Sequence, residues 1–523
     1  MWKLPASPLN EWNSGHPASA SALKMITHPI PRLRVDRFTV QESQLRCRGV
    51  HGGYNGLVWI IITLFLVIVS ACSAQLNAPA EPKNLVILSI DTLRADHLGA
   101  YGYSRSTSPH LDRFARSSVV FDQAVTVHVS TAPAHGTILT GEYPGGHGIQ
   151  RNGMTLEPGV PTLAGILAKK GFVTGAFVSG WTLQRHTGLF RGFETYDDDL
   201  GPPRNGARRK GAETTDAAVN WLRQEVTAER NFFLFVHLFE PHWPYDPPAQ
   251  DALRFLPGVY ELTTISKPVH LNRLLSVNQL TPPEQQEYIA RYDGEIVVAD
   301  RLADRLFDEL EKIGVAHNTV VIVLSDHGET LFEREWTMDH GTRPYEEQAR
   351  VPLMLHIPGD PYAGQRVSDQ VSLVDVVPTV LEIFGLESPP TLPGRSLLPL
   401  VRGKQTDNQH RPVFITARAE PGRVPHIQAP LSSRGLVRAI RLPGLKLIEY
   451  PSAGRLRQPE FFNLIDDPGE RDNRAKENLD IVVSLHGELE EWQTATGGAA
   501  EPRNRELDPE VEEALRELGY IDD

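Results

Sequence analysis

The chain has 523 residues, 40% of them apolar and 22% charged, proportions of an ordinary globular protein with room for a large domain and a smaller one. A formal charge of −13 argues against nucleic acid as a partner. Only two cysteines occur, Cys47 and Cys72, and both stand too early to cross-link the body of the fold.

In chain order, residues 1–55 are polar and lean basic through Arg32, Arg34, Arg37, Arg46 and Arg48. "GLVWIIITLFLVIVSAC" follows over 56–72. It is uncharged, short for a membrane span of about 20 residues, and suited to the apolar part of an export signal. Its end, "VSAC", resembles the bacterial lipobox, which implies a lipid on Cys72 and an exported periplasmic or outer-membrane lipoprotein held to the membrane at its N-terminus. A plain signal anchor is the alternative. The segment before it is longer than export needs, and Met25 offers a downstream start. "SAQLNAPAEPK", 73–83, reads as a tether.

The globular part opens with "NLVILSI", and similar runs recur as "GFVTGAFVSG", "NFFLFVHLFE", "NTVVIVLSD" and "RVPLMLHIPG". Each is strand-length and nearly all apolar, as expected of strands buried on both faces. Between them lie helical patterns, the longest over Thr281–Gly314, where apolar residues recur at three and four and Gly314 is a stop. Strands alternating with helices predict an α/β sheet covered on both sides, over 84–403. Beyond it, over 404–523, the shorter runs "PVFITAR", "GLVRAIRL" and "LKLIEY" and one last helix predict a smaller α+β unit.

Ligands of such sheets bind outside the carboxyl ends of the strands. Asp91, Thr92, Arg94 and Asp96 follow the first run; Glu240 and His242 follow "NFFLFVHLF"; Asp326, His327 and Glu329 follow "NTVVIVLS". One aspartate after a strand is usually a helix cap, but three such ends suggest a shared rim. Hard oxygens mixed with imidazole suit Mg²⁺, Mn²⁺, Ca²⁺ or Zn²⁺. His237, inside a buried run, reads as structural. In "VHVSTAPAHGTILTG" (127–141), Pro133 fits the first turn of a helix, with Ser130 and Thr131 just before it. A hydroxyl there meets the positive end of the helix, so it is either an ordinary cap or a nucleophile.

"NLVILSIDTLRADHLGAYGY", "TSPHLDRFARSSVVFDQAV", "TAPAHGTILTGEYPGGHGI", "HLFEPHWPYDPP", "LSDHGETL", "YEEQARVPLMLHIPG", "VSLVDVVPTVLEIFGL" and "FFNLIDDPGERDN" follow one another. Together they resemble the sulfatase branch of the alkaline phosphatase superfamily, from Asn84 onward. The resemblance implies an alkaline-phosphatase-like, mostly parallel mixed sheet with helices on both faces. It puts Thr131 in the place of the nucleophile, also touching the metal, with Asp91, Asp326 and His327 as metal ligands. One divalent cation is expected and a second is allowed. By the same resemblance, His242 and His340 bind the substrate's oxygens or protonate the leaving group, and His135 serves the nucleophile or the bound anion. Thr92, Glu240 and Arg94 are further candidates for the surroundings of the metal, Glu240 as a ligand or behind one, and Arg94 either to steer an anion or to form a surface ion pair.

This sequence departs from the family where the chemistry is most specific. Family nucleophiles are a cysteine or serine converted to formylglycine within C/S-x-P-S-R; here Thr131 stands there, and Ala134 and His135 replace the motif's serine and arginine. The β-methyl of threonine closes the route to that aldehyde. A threonine ester has to be opened at the heteroatom, which phosphorus accepts more readily than sulfur. Thr92 replaces a second aspartate common in calcium-dependent members. The expected activity is thus hydrolysis of a sulfuric or phosphoric ester, with phosphate esters favoured, on a small-molecule, glycan or lipid head-group substrate. A membrane-associated phosphoglycerol or phosphoethanolamine transferase and an inactive glycan-binding relative are the alternatives.

Overall fold

The computed structural model describes residues 82–201, 208–227, 230–259, 261–262, 280–334, 340–404, 411–418, 436–450 and 459–496. Residues 56–72, expected to be an export signal ending at Cys72, and residues 73–81 lie outside them. Among the described residues no helix is long and apolar enough to cross a membrane.

Nine strands form the main sheet: β1 (Asn84–Ile90), β2 (Val119–Val125), β3 (Val173–Val178), β4 (Thr195–Asp197), β5 (Phe232–Leu238), β6 (Thr319–Leu324), β7 (Arg350–Val351), β8 (Leu353–His356) and β9 (Arg366–Ser372). The order β4-β3-β5-β1-β6 is parallel throughout. Antiparallel β8 joins β6 to β2, which also carries β7 and the parallel β9. The continuous apolar runs are explained by burial on both faces. Leu85, Ile87, Phe233, Phe235, Val320 and Ile322 enter one core. Their neighbours Val86, Leu88, Leu234, Val236, Val321 and Val323 enter the other.

Among the described residues, the helices of eight or more residues are α1 (Thr131–Thr140), α2 (Gly211–Glu225), α3 (Pro282–Lys312), α4 (Val376–Ile383) and α5 (Leu479–Ala495). On one face, Ile138 and Leu139 of α1 and Val377, Val380 and Leu381 of α4 pack on the sheet. On the other lie Ala218 and Leu222 of α2 with Tyr292, Ile296, Ala299, Ala303 and Leu306 of α3. α3 starts where Glu284 accepts from both the N–H and the hydroxyl of Thr281 at 2.7 Å, and ends before Gly314, whose φ of 76° favours glycine.

A second, antiparallel sheet is a meander of β10 (Val413–Arg418), β11 (Leu436–Leu442), β12 (Leu445–Glu449) and β13 (Glu460–Asn463). One of its faces covers Val125, Val129 and Tyr345 of the main unit, and the other is covered by Leu485 and Leu489 of α5. Because β1, β5 and β6 are parallel neighbours, the residues that follow them emerge on one edge of the main sheet. β2 points the same way, so α1, which follows it, begins at that edge.

Candidate active site

The site is assembled where β1, β6 and β2 end. Asp91, Asp326 and His327 are buried and offer ligand atoms all within 4.8 Å of one another. Asp326 Oδ1 accepts from the N–H of Thr92 at 3.2 Å and of His327 at 2.9 Å, while its Oδ2 has no hydrogen bond. Asp91 Oδ1 is likewise buried without one. His327 Nδ1 donates to the Gly328 carbonyl at 2.9 Å, which leaves the lone pair on Nε2. That Nε2 lies 3.4 Å from Asp326 Oδ2, 3.9 Å from Asp91 Oδ1 and 3.4 Å from Thr131 Oγ1.

Two orphaned carboxylate oxygens, an imidazole lone pair and a hydroxyl facing one point fit a divalent cation. The electrostatics agree. Burial, and then the neighbouring Asp326, hold Asp91 well above the usual carboxylate range. Burial works against a charged His327, yet Asp326 and Asp91 outweigh it and raise its pKa. Without a metal, therefore, the site draws a proton to supply the missing positive charge. Among the described residues, no second group of this kind occurs.

Thr131 is the first residue of α1, where backbone N–H groups are unpaired and an anion is favoured. Ser130 has the extended backbone of a cap, but its hydroxyl makes no cap bond. The carboxamide of Asn152 does this instead, accepting from Ala132 N at 2.9 Å. Pro133 costs the helix nothing in its first turn. His135, one turn along, bonds through Nδ1 to the Thr131 carbonyl at 2.8 Å and through Nε2 to Ser89 Oγ at 2.8 Å, with Nδ1 3.5 Å from Asp326 Oδ2. Burial pushes its pKa down to about 4, so it is a neutral prop under Thr131.

His340 and His242 form the outer wall. The His340 ring lies 4.7 Å from that of His327 and 4.9 Å from that of His242. His340 Nδ1 is 3.1 Å from Glu329 Oε1, so that carboxylate fixes the ring. His242 bonds through Nδ1 to the Trp243 carbonyl, and burial, then His340, keep its pKa well below the ordinary value.

Comparisons with known proteins give the family. The sulfatase family model matches residues 83–386, and the model for the C-terminal part of N-sulphoglucosamine sulphohydrolase matches 335–495. The chain belongs to the sulfatase family. This sulfatase-family chain is 26% identical over 476 residues to arylsulfatase K of Rattus norvegicus, covering 83% of this chain and 82% of the relative. It is 24% identical over 429 residues to an N-acetylglucosamine-6-O-sulfatase of Bacteroides thetaiotaomicron, covering 66% and 75%. Two solved structures share its fold at 20% identity. One, a protein in complex with its substrate D-glucosamine-2-N,6-O-disulfate, has a TM-score of 0.66 and covers 81% of this chain and 100% of its own. The other, the phosphonate monoester hydrolase of Agrobacterium radiobacter, has a TM-score of 0.65 and covers 79% and 96%. The chain is thus an ester hydrolase of the sulfatase family, in the alkaline phosphatase superfamily.

Within this sulfatase fold, Asp91, Thr131, His135, Asp326 and His327 come together, with His242 and His340 beside them. Thr92 also belongs here. Its φ of 53° is rare for a β-branched residue, and it aims the N–H at Asp326 while the carbonyl accepts from the Tyr292 hydroxyl at 2.7 Å. Glu240 and Arg94 are engaged by other partners. Glu240 accepts from the N–H of Gly211 at 2.9 Å, capping α2. The guanidinium of Arg94 is engaged by Asp96, Glu333 and the Glu329 carbonyl, so it is not left to meet an anion. Nothing in the sequence marks Asn152, and His237, inside a buried run, reads there as structural. His237 Nε2 in fact lies 3.2 Å from Asp91 Oδ2. Its signal was a lone imidazole in an apolar strand, which means something only once β5 is known to neighbour β1.

Proposed function

We propose that this protein is a metal-dependent ester hydrolase that uses Thr131 as nucleophile and prefers phosphoric to sulfuric esters. The observation that carries the reading is Thr131 Oγ1 at the head of α1, 3.4 Å from His327 Nε2 and beside the unpaired oxygens of Asp91 and Asp326. Those residues would hold a divalent cation, which supplies charge that eases ionisation of the hydroxyl and neutralises the anionic substrate.

The ionised Thr131 Oγ bonds to the phosphorus or sulfur while the bond to the alcohol oxygen breaks. His340, as imidazolium backed by Glu329, gives its proton to that oxygen. Water then attacks the same centre, His340 takes a proton from it, and the bond to Thr131 breaks, returning Thr131 to its ionised form and releasing the acid. The N-terminus of α1 offers N–H groups to the anion in both steps. The names of the N-acetylglucosamine-6-O-sulfatase and of the D-glucosamine-2-N,6-O-disulfate complex speak for sulfate esters of sugars and keep a sulfated glycan in view as substrate. Threonine speaks for phosphorus, because it cannot become the aldehyde that expels sulfate.

The test compares nitrophenyl sulfate, phosphate and phosphodiester with Mn²⁺, Mg²⁺, Ca²⁺ or Zn²⁺, using wild type and Thr131→Ala. We expect phosphate or phosphodiester turnover that falls at least about 1,000-fold in T131A. Dominant sulfate turnover that depends on Thr131 would refute the phosphate preference, and activity untouched in T131A would refute the nucleophile. We also propose an exported protein with a lipid on Cys72. Radiolabelled palmitate should enter the wild type and not Cys72→Ser; equal labelling would exclude it.

A further inference from the structure

β5 is otherwise made of Phe232, Phe233, Leu234, Phe235, Val236 and Leu238, all fully or almost fully buried, and His237 is 0% exposed among them. An imidazole there carries a desolvation cost that an aliphatic residue would avoid. Its placement gives the reason. β5 pairs in parallel with β1, His237 opposite Ser89, which puts the ring beside the turn that begins at Asp91. His237 Nε2 lies 3.2 Å from Asp91 Oδ2, and its Nδ1 has no partner, so the ring's one proton belongs on Nε2.

The two metal-facing carboxylates are then built alike. In Asp326, Oδ1 is tied by two backbone N–H groups and Oδ2 is unpaired. In Asp91, Oδ2 is tied by His237 and Oδ1 is unpaired. Each carboxylate thus has one oxygen anchored and the other turned to the common point. The difference is that Asp326 is anchored by backbone, whereas Asp91 depends on a replaceable side chain.

We propose that His237 is a positioning residue for the cation: it holds Asp91 so that Oδ1 faces the site. The proposal rests on the reading that Asp91, Asp326 and His327 bind a divalent cation. Partners that fix metal ligands in this way typically change metal affinity by about 10–100-fold when removed.

The experiment is titration of the metal-stripped full chain with Mn²⁺ by calorimetry, with the melting temperature of each metal-free protein measured alongside. His237→Leu, which lacks the donor, should bind Mn²⁺ about 10–100-fold more weakly, with a metal-free melting temperature no lower than wild type. His237→Gln, whose amide N–H reaches toward the same oxygen, should stay within a few-fold of wild type. If H237L does not fold, His237→Phe takes its place in the comparison. Wild-type affinity in H237L would overturn the proposal. So would equal losses in H237L and H237Q that track a lower metal-free melting temperature, the mark of a merely structural role. A wild type that binds no Mn²⁺ would overturn the cation reading itself, and this proposal with it.

Discussion

At the scale of single residues, the division of labour between His340 and Thr131 is the most exposed part of the reading. An acid that protonates a leaving alcohol matters in proportion to that alcohol's basicity. Nitrophenolate leaves readily without a proton, whereas an alkyl or sugar oxygen does not. His340→Asn should therefore cost roughly 100- to 10,000-fold on an alkyl ester and far less on the nitrophenyl ester. Glu329→Gln, which weakens the imidazolium through the 3.1 Å contact, should follow the same pattern more mildly. Equal losses on both substrates would mean that His340 binds the anion and donates no proton. At this scale the sequence was informative about Asp91, Asp326, His327 and Thr131, because each stands beside a strongly patterned strand or helix. It said little about His237, Glu240 and Arg94. Their partners Asp91, Gly211 and Glu333 lie from 29 to 239 positions away, and only the folded sheet decides which side chains meet.

At the scale of elements, strand runs and α3 were legible because burial on both faces, or on one helical stripe, writes a period into the sequence. Short structure such as β4 and β7 carries no such period. Gly328 shows how tight the decisive turn is: a Cβ there would stand 2.1 Å from the Glu347 carbonyl oxygen, so the backbone after Asp326 and His327 can pass only as glycine. α3 itself carries a titrating group. Glu295 is 5% exposed and accepts from Asp246 N at 2.7 Å; burial, and then Glu240, raise its pKa to about 8. An acid whose folded pKa is raised holds a proton that the unfolded chain has released, so its favourable contribution is full below the unfolded value. It is lost as pH climbs from about 4.5 to about 8, on the order of 5 kcal/mol at most. Glu295→Gln keeps the acceptor oxygen and removes the titration. It should melt higher than wild type at pH 9 and indistinguishably from it at pH 5. Identical melting at both pH values would show that Glu295 is charged in the folded protein.

For the molecule as a whole, the question is what keeps the second sheet seated on the first, since β10 brings Arg418 N to the Gly341 carbonyl, next to His340. Part of the answer is apolar, through Val125, Val129, Ile415 and Val437. The rest is a buried ionic cluster. Glu346, beside β7, takes both Nε and Nη2 of Arg441 at 2.9 Å and Nζ of Lys446 at 2.9 Å. Lys446 is fully buried and also lies 3.0 Å from Glu470, which in turn accepts from Glu346 N. Such a cluster is poor evidence of net stability, because desolvating the charges offsets much of their attraction. Removing one member is different, for it strands the others. Lys446→Met should cost about 3–5 kcal/mol and lower the melting temperature by several degrees. The double variant Lys446→Met with Glu470→Gln should recover part of that loss, since the amide still accepts from Glu346 N without leaving a buried charge. Recovery would place the cost in the uncompensated carboxylate. An equal or larger loss in the double variant would place it in the packing around the lysine stem, and the joint between the sheets would then be apolar in origin.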